Sequence, residues 1–300
     1  MTGGPLGAIE AGGTKFVCAV GTGPDDVWER MRIDTADPRD TLKAAIGFFA
    51  GGPPLDAIGI AAFGPIELRA GHPDYGRITT TPKPGWAGTD LVGPVRSALE
   101  VPVAIDTDVN GAGLGEWRWG AGQGLSNLVY LTVGTGIGGG AIVDGRPVTG
   151  LVHPEMGHVS VERLEGDGFP GVCPFHGDCF EGMASGPAIE ARWGRRGEEL
   201  GALTEQAVSV ESHYLAAGIR NIVFTLAPQR VIVGGGVGRI PGLVEHANRR
   251  LVGLMAGYAV QPEHEAGFIV TPGLGDDSGI AGGFALARAA LGSDRRGATP

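Results

Sequence analysis

Cysteine is scarce in this 300-residue chain: Cys18, Cys173 and Cys179 are the whole complement. An odd number in a chain of this size excludes a disulfide framework as the source of stability and points to a reducing compartment. Basic charge is short as well, with 23 Lys and Arg against 33 Asp and Glu and a formal net charge of −10. That balance excludes a broad, salt-dependent grip on nucleic acid and leaves a small molecule as the expected partner. No stretch approaches the ~18 consecutive apolar residues of a membrane span, and Met1–Pro5 carries no basic segment leading into an apolar one. A cytoplasmic protein without a membrane anchor is therefore expected. Lysine is nearly absent, since only Lys15, Lys43 and Lys83 stand against twenty arginines, which reads as coding bias rather than function.

What the chain has in plenty is glycine, 56 residues in all, set in short clusters after apolar runs. With 42% hydrophobic and 19% charged residues it can bury a large core, and its length suits two domains. Two distant segments share one plan of apolar run, glycine turn and apolar run: Leu6–Val20 around Gly12-Gly13-Thr14-Lys15, and Leu128–Val143 around Gly134-Thr135-Gly136-Ile137-Gly138-Gly139-Gly140. Each reads as a hairpin, and the pair suggests a duplicated domain. Between them the patterns predict a helix over 41–49, a strand over 57–62, a polar loop through Pro82–Trp86, a helix near 90–99 and a strand over 101–105. Beyond the second hairpin come a loop-rich stretch, 144–180, and helices at 186–193, around 198–200 and at 208–226. A strand at 230–233 then leads through Gly234–Gly238 into a helix over 241–255, and a last helix covers 279–291. The alternation is that of an α/β protein. The expected division is a small α/β domain, 1–110, completed by a C-terminal helix, 279–297, and a larger domain, 111–278.

Four motifs carry chemistry. Gly12, Gly13, Thr14 and Lys15 offer backbone N–H groups, a hydroxyl and a cation, the donors a polyphosphate needs; the plain alternative is a tight hairpin with a surface lysine. Gly134–Gly139 has the G-x-G-x-x-G spacing of a dinucleotide site, but that fingerprint needs a helix next, and Gly140–Val143 reads as a strand. A second phosphate-binding hairpin fits the pattern better. Asp106-Thr107-Asp108-Val109-Asn110 follows an apolar strand, where α/β proteins place ligands. Asp108 is the candidate general base, with helix capping by Asp106 or Asp108 as the alternative. His158, Cys173, His176 and Cys179 give H-x14-C-x2-H-x2-C, a donor set for a closed tetrahedral zinc site; a chance cluster or a Cys173–Cys179 disulfide would be the alternative. Such a metal would also fix Glu155 and Glu181 as acceptors for sugar hydroxyls, whereas His153 stands outside the set.

Together these segments resemble the ROK kinases: Glu10–Lys15 their first phosphate motif, Asp106–Asn110 their catalytic-aspartate motif, Gly134–Gly140 their second phosphate motif, and Pro154–His158 through Cys179–Gly182 their signature and zinc segment. The likeness covers nearly the whole chain in the family's order. It implies an actin-like fold of two ribonuclease-H-like domains around a central cleft, with ATP between them and the sugar deep inside. By matching position it makes Asp108 the base, sets Glu155, His158 and Glu181 on the sugar, and gives zinc to His158, Cys173, His176 and Cys179. It brings Glu10 near magnesium, Thr135 and Gly136 near the phosphates, and Pro187 with Gly234, Gly235, Gly236, Val237 and Gly238 near the adenosine. It also implies a homodimer. Three positions depart from the usual pattern: Glu10 for Asp, Thr107 for Asn, and His176 for a zinc cysteine. These variants and the Thr81-Pro82-Lys83-Pro84-Gly85-Trp86 loop are similar to the fructokinase branch. The expected activity is ATP-dependent phosphorylation of fructose, with a broad glucokinase or mannokinase, or a catalytically silent sugar sensor, as rivals. No helix-turn-helix pattern precedes Glu10, so the repressor branch is not expected.

Overall fold

A computed structural model describes residues 4–297; Met1–Gly3 of the segment read for a leader lie outside the described residues. In chain order the first strands and helices are β1 (Leu6–Ala11), β2 (Lys15–Gly23), β3 (Asp26–Asp34), α1 (Pro38–Ala50), β4 (Ala57–Ala62), α2 (Gly93–Leu99), β5 (Val103–Thr107) and α3 (Asp108–Trp119). They are followed by β6 (Asn127–Val133), β7 (Ile137–Val143), β8 (Arg146–Pro147), α4 (Phe180–Ala184), α5 (Gly186–Trp193), α6 (Thr204–Leu226) and β9 (Arg230–Gly234). The chain ends with α7 (Gly235–Gly238), α8 (Leu243–Leu254), α9 (Pro262–Glu265), β10 (Ile269–Val270) and α10 (Ser278–Gly297). Among the described residues no helix is long and apolar enough to cross a membrane.

The two sheets have one topology. The first runs β3-β2-β1-β4-β5, the second β8-β7-β6-β9-β10. In each, a hairpin pairs antiparallel (β1 with β2, β6 with β7) and its first strand then pairs parallel with a later one (β4, β9). The duplication read from two glycine turns thus extends to whole sheets. The chain divides into two compact units. One runs to Gln123 and adds Arg146–His153 and the segment from Asp276; the other comprises Gly124–Gly145 and Pro154–Gly275.

In the first unit β4 is buried at every position, as an interior parallel strand must be when both faces are covered. α1 starts on Asp37, whose side chain accepts the N–H groups of Arg39 and Asp40, with Pro38 in the first turn. Its Leu42, Ala45 and Phe49 face the core at helical spacing. On the other face α10 lays Ile280, Phe284, Ala287 and Ala290 against Leu6, Ala8, Val17 and Ala19. Glycine sets how closely these elements approach: a Cβ at Gly59 would fall 2.0 Å from Gly283 O, and one at Gly282 2.2 Å from Gly111 C. The second unit is built on α6, which buries Tyr214, Leu215, Ile219 and Ile222, and on the apolar strand β9.

Candidate active site

In the first unit the candidate residues gather at one end of the sheet. β1 ends at Ala11, and the turn to Lys15 is closed by Gly12 N–H donating to Lys15 O at 2.9 Å. Thr35 secures it from β3's far end, its hydroxyl donating to Gly12 O at 2.7 Å and its N–H to Thr14 O at 3.0 Å. A Cβ at Gly13 would meet nothing within 4 Å, so the crest of the turn faces open space, and Lys15 is exposed. Directly behind it Phe16 packs on Trp86 at 5.5 Å between ring centroids, and Trp86, fully buried, donates its Nε1–H to Ala36 O at 2.9 Å. The Thr81–Trp86 loop is therefore anchored under the first glycine turn.

Asp108 is the first residue of α3, immediately past the tip of β5. The cap itself is Thr107, whose hydroxyl accepts the N–H of Asn110 at 3.2 Å. Neither aspartate is the N-cap, and Thr107, in place of the usual Asn, keeps the capping role, since both residue types cap well. Asp108 stays part-exposed, its Oδ1 accepting Val109 N–H at 2.9 Å, within the positive end of the helix dipole. Asp106 is buried and structural: its Oδ1 accepts Thr107 N–H at 2.8 Å and Asn110 Nδ2–H at 2.7 Å. Burial raises the Asp106 carboxyl above its ordinary range, while those bonds and the nearby His153 pull it back. His153, set aside in the sequence, thus lies beside this aspartate motif; its place two residues before Glu155 was the signal available.

Glu10 lies close enough to feel both Lys15 and Asp108. Burial lifts its carboxyl above the usual range, Asp108 and Asp277 add to the rise, and Lys15 and Arg30 oppose it. Its carboxylate covers the start of α10, where a Cβ at Gly279 would fall 2.6 Å from Glu10 Cδ. A group of carboxylates beside a cationic glycine turn supplies hard oxygen ligands of the kind a magnesium ion takes.

In the second unit the turn between β6 and β7 is closed by Gly134 N–H donating to Gly136 O at 2.9 Å, and Thr135 is exposed on it. Gly186, at the start of α5, donates its N–H to Gly134 O at 2.7 Å, which sets Pro187, exposed, beside the turn. Gly235 closes the group from β9: at φ +83° its Cβ would stand 2.3 Å from Val133 O, so only glycine fits. Gly236 opens outward with nothing within 4 Å of a Cβ. Thr135, Gly136, Pro187 and Gly234–Gly238 are thereby brought to one end of β6.

The histidine and cysteine pattern also closes in space. Cys173 Sγ lies 3.8 Å from His158 Nδ1 and 3.8 Å from His176 Nδ1, and Cys179 Sγ lies 3.7 Å from His158 Nδ1. All four donor atoms fall within 4.8 Å of one another. Metal bonds of about 2.0–2.3 Å in a tetrahedron separate neighbouring donors by about 3.5 Å, so the cluster has the dimensions of a four-coordinate site. All three cysteines are free thiols, which removes the Cys173–Cys179 disulfide. Burial, together with the adjacent Cys173, pushes the Cys179 thiol up, the condition a bound cation reverses. Cys18, buried in the first sheet, is pushed to about 12.

Glu155 is exposed at the entry to a short 3-10 turn, Met156–His158. Glu181, in the first turn of α4, turns its Oε2 toward the second glycine turn and accepts Ile137 N–H at 2.9 Å. That backbone contact was not legible in the sequence.

The family model described as ROK family matches residues 6–290. The chain is 43% identical over 291 residues to a fructokinase of Zymomonas mobilis, covering 95% of this chain and 96% of that one. It is 41% identical over 286 residues to a fructokinase of Pediococcus pentosaceus, at 95% and 98% coverage. Among solved structures it is similar to a ROK hexokinase from Thermus thermophilus, with a TM-score of 0.78 and 25% identity, covering 97% of this chain and all of that one.

Proposed function

The chain belongs to the ROK family, and from that premise we propose that it is an ATP-dependent fructokinase that transfers the γ-phosphoryl group to the primary hydroxyl of fructose, giving the 6-phosphate. The supporting relatives are fructokinases, five of them at 37–43% identity over most of the chain, one carrying a provisional name. The structural observation that carries the mechanism is Asp108, a part-exposed carboxylate at a strand tip in electrostatic reach of Glu10, which in turn feels Lys15.

In this reading Asp108 accepts the sugar hydroxyl proton as the oxygen attacks phosphorus and the bond to the departing ADP breaks. The Val109 N–H at the α3 N-terminus holds Asp108 in place. Gly12–Lys15 and Thr135–Gly136 bind phosphate oxygens through backbone N–H groups, hydroxyls and the lysine cation; Pro187 and Gly234–Gly238 border the adenosine. Glu10 offers a carboxylate to magnesium, which would neutralise phosphate charge. Glu155, His158 and Glu181 contact the sugar. Zinc is the metal that two thiolates and two imidazoles fit best, held by His158, Cys173, His176 and Cys179, and its service is to hold the 158–179 loop. A cytoplasmic homodimer completes the proposal.

The test is ADP release with fructose by the wild type and by Asp108→Asn. Loss of a positioned base should lower kcat by about 10²–10⁴-fold while nucleotide affinity holds. Near-wild-type turnover in the variant would remove Asp108 from the role.

A further inference from the structure

Glu181 joins two parts of the second unit that lie 44 residues apart in sequence. It stands two residues past Cys179, in the first turn of α4. Its Oε2 accepts the Ile137 N–H at 2.9 Å, and the same oxygen would lie 2.6 Å from a Cβ at Gly136, so the approach needs glycine there. The segment carrying His158 closes on the same residue from its other side: a Cβ at Gly157 would fall 2.0 Å from Ile137 O. Met156 fills the space where Gly139 lacks a side chain, a Cβ there lying 2.6 Å from Met156 Sδ. The segments that bear His158 and Cys179 therefore both grip the residue that ends the second glycine turn.

We propose that Glu181 is a positioning residue for phosphate binding: its carboxylate fixes the Ile137 N–H, holds the Thr135–Gly136 turn in its binding shape, and so couples the His158–Cys179 metal centre to nucleotide affinity. The inference rests on the reading of Thr135 and Gly136 as phosphate ligands. A carboxylate suits the task because a charge-assisted bond is about twice as strong as a neutral one, and partial burial strengthens it further. Without it the turn keeps its internal Gly134–Gly136 bond, its contact with Gly186 and the pairing of Val133 with Ile137. A role confined to the sugar predicts no effect of Glu181 when no sugar is present.

The experiment measures hydrogen exchange at the Ile137 amide and ADP affinity by calorimetry, both without sugar. It uses the wild type, Glu181→Ala, Glu181→Gln and chelator-treated wild type. Glu181→Ala should speed Ile137 exchange and weaken ADP binding, each by about tenfold or more, the scale of a lost bond to a charged acceptor. Glu181→Gln, nearly isosteric and still carrying a carbonyl oxygen, should recover most of both, and chelation should move both in the direction of the alanine variant. Unchanged Ile137 exchange in the alanine and chelated proteins would overturn the coupling while leaving the phosphate reading intact. Faster exchange with unchanged ADP affinity would overturn the proposal from the other side, because the turn would then not be the phosphate site.

Discussion

At the scale of single residues, the buried acids of the two units have been given different work. Asp106 is tied into the backbone beside the candidate base, whereas Glu211 shares one guanidinium with Asp167. Arg192 Nη1 lies 2.6 Å from Asp167 Oδ2, and its Nε lies 3.2 Å from Glu211 Oε1. Asp167 is held below its ordinary range despite burial, through Tyr214, the Phe169 N–H and Arg192. Glu211 is driven by burial to about 7, with Trp193 and Arg192 opposing the rise. A carboxyl that holds its proton more tightly folded than unfolded favours the fold at low pH. That contribution is full below 4.5, the ordinary value, and is lost as pH rises through about 7. Glu211→Gln should therefore flatten the fall of unfolding free energy between pH 4.5 and about 7, read by denaturant titration; an unchanged slope would contradict the assignment. The strand-tip position of Asp108 and the grouping of His158, Cys173, His176 and Cys179 were legible because residue type and spacing mark them, whereas Glu10 entered only through the family resemblance. The Glu181–Ile137 bond and the place of His153 were not, since both depend on which chain segments meet in three dimensions.

At the scale of elements, α3 shows why glycine misleads a reader of sequence. Gly111, Gly113 and Gly115 argue against a helix by propensity, yet they form one because β4 and α10 press against it: a Cβ at Gly111 would fall 2.5 Å from Ala61 Cβ, and one at Gly115 2.7 Å from Ser278 O. Tertiary packing overrides the local preference. Gly282→Ala should accordingly destabilise by about 1–3 kcal/mol through overpacking, seen as a lower Tm, while Gly253→Ala, where a Cβ meets nothing within 4 Å, should change Tm little. Thr107→Ala removes the α3 cap and should cost about 1 kcal/mol. The strand missed in sequence, β3, is mostly exposed, with Val27, Met31 and Ile33 half-buried among charged neighbours; its weak apolar signal is that of an edge strand. The hairpins, β4 and α5 were readable because their apolar runs and turn glycines agree.

At the scale of the molecule, the same sheet order built twice accounts for the two glycine turns, and the four clustered donors bring His158 and the 173–179 segment of the second unit together. One zinc per chain is expected by metal analysis. Its removal should lower Tm and open Cys173 and Cys179 to a thiol reagent, while Cys18, pushed to about 12 by burial, stays unreactive until the protein unfolds. Labelling of all three cysteines in the folded, metal-loaded protein would contradict this. The central claim, fructose phosphorylation, is tested most directly by coupled ADP release across fructose, glucose, mannose and N-acetylmannosamine at saturating magnesium-ATP. The account predicts a kcat/KM for fructose at least about tenfold above every other sugar, a preference of about 1.4 kcal/mol in transition-state binding; equal or greater efficiency with glucose or mannose, or no ADP release with fructose, would contradict it.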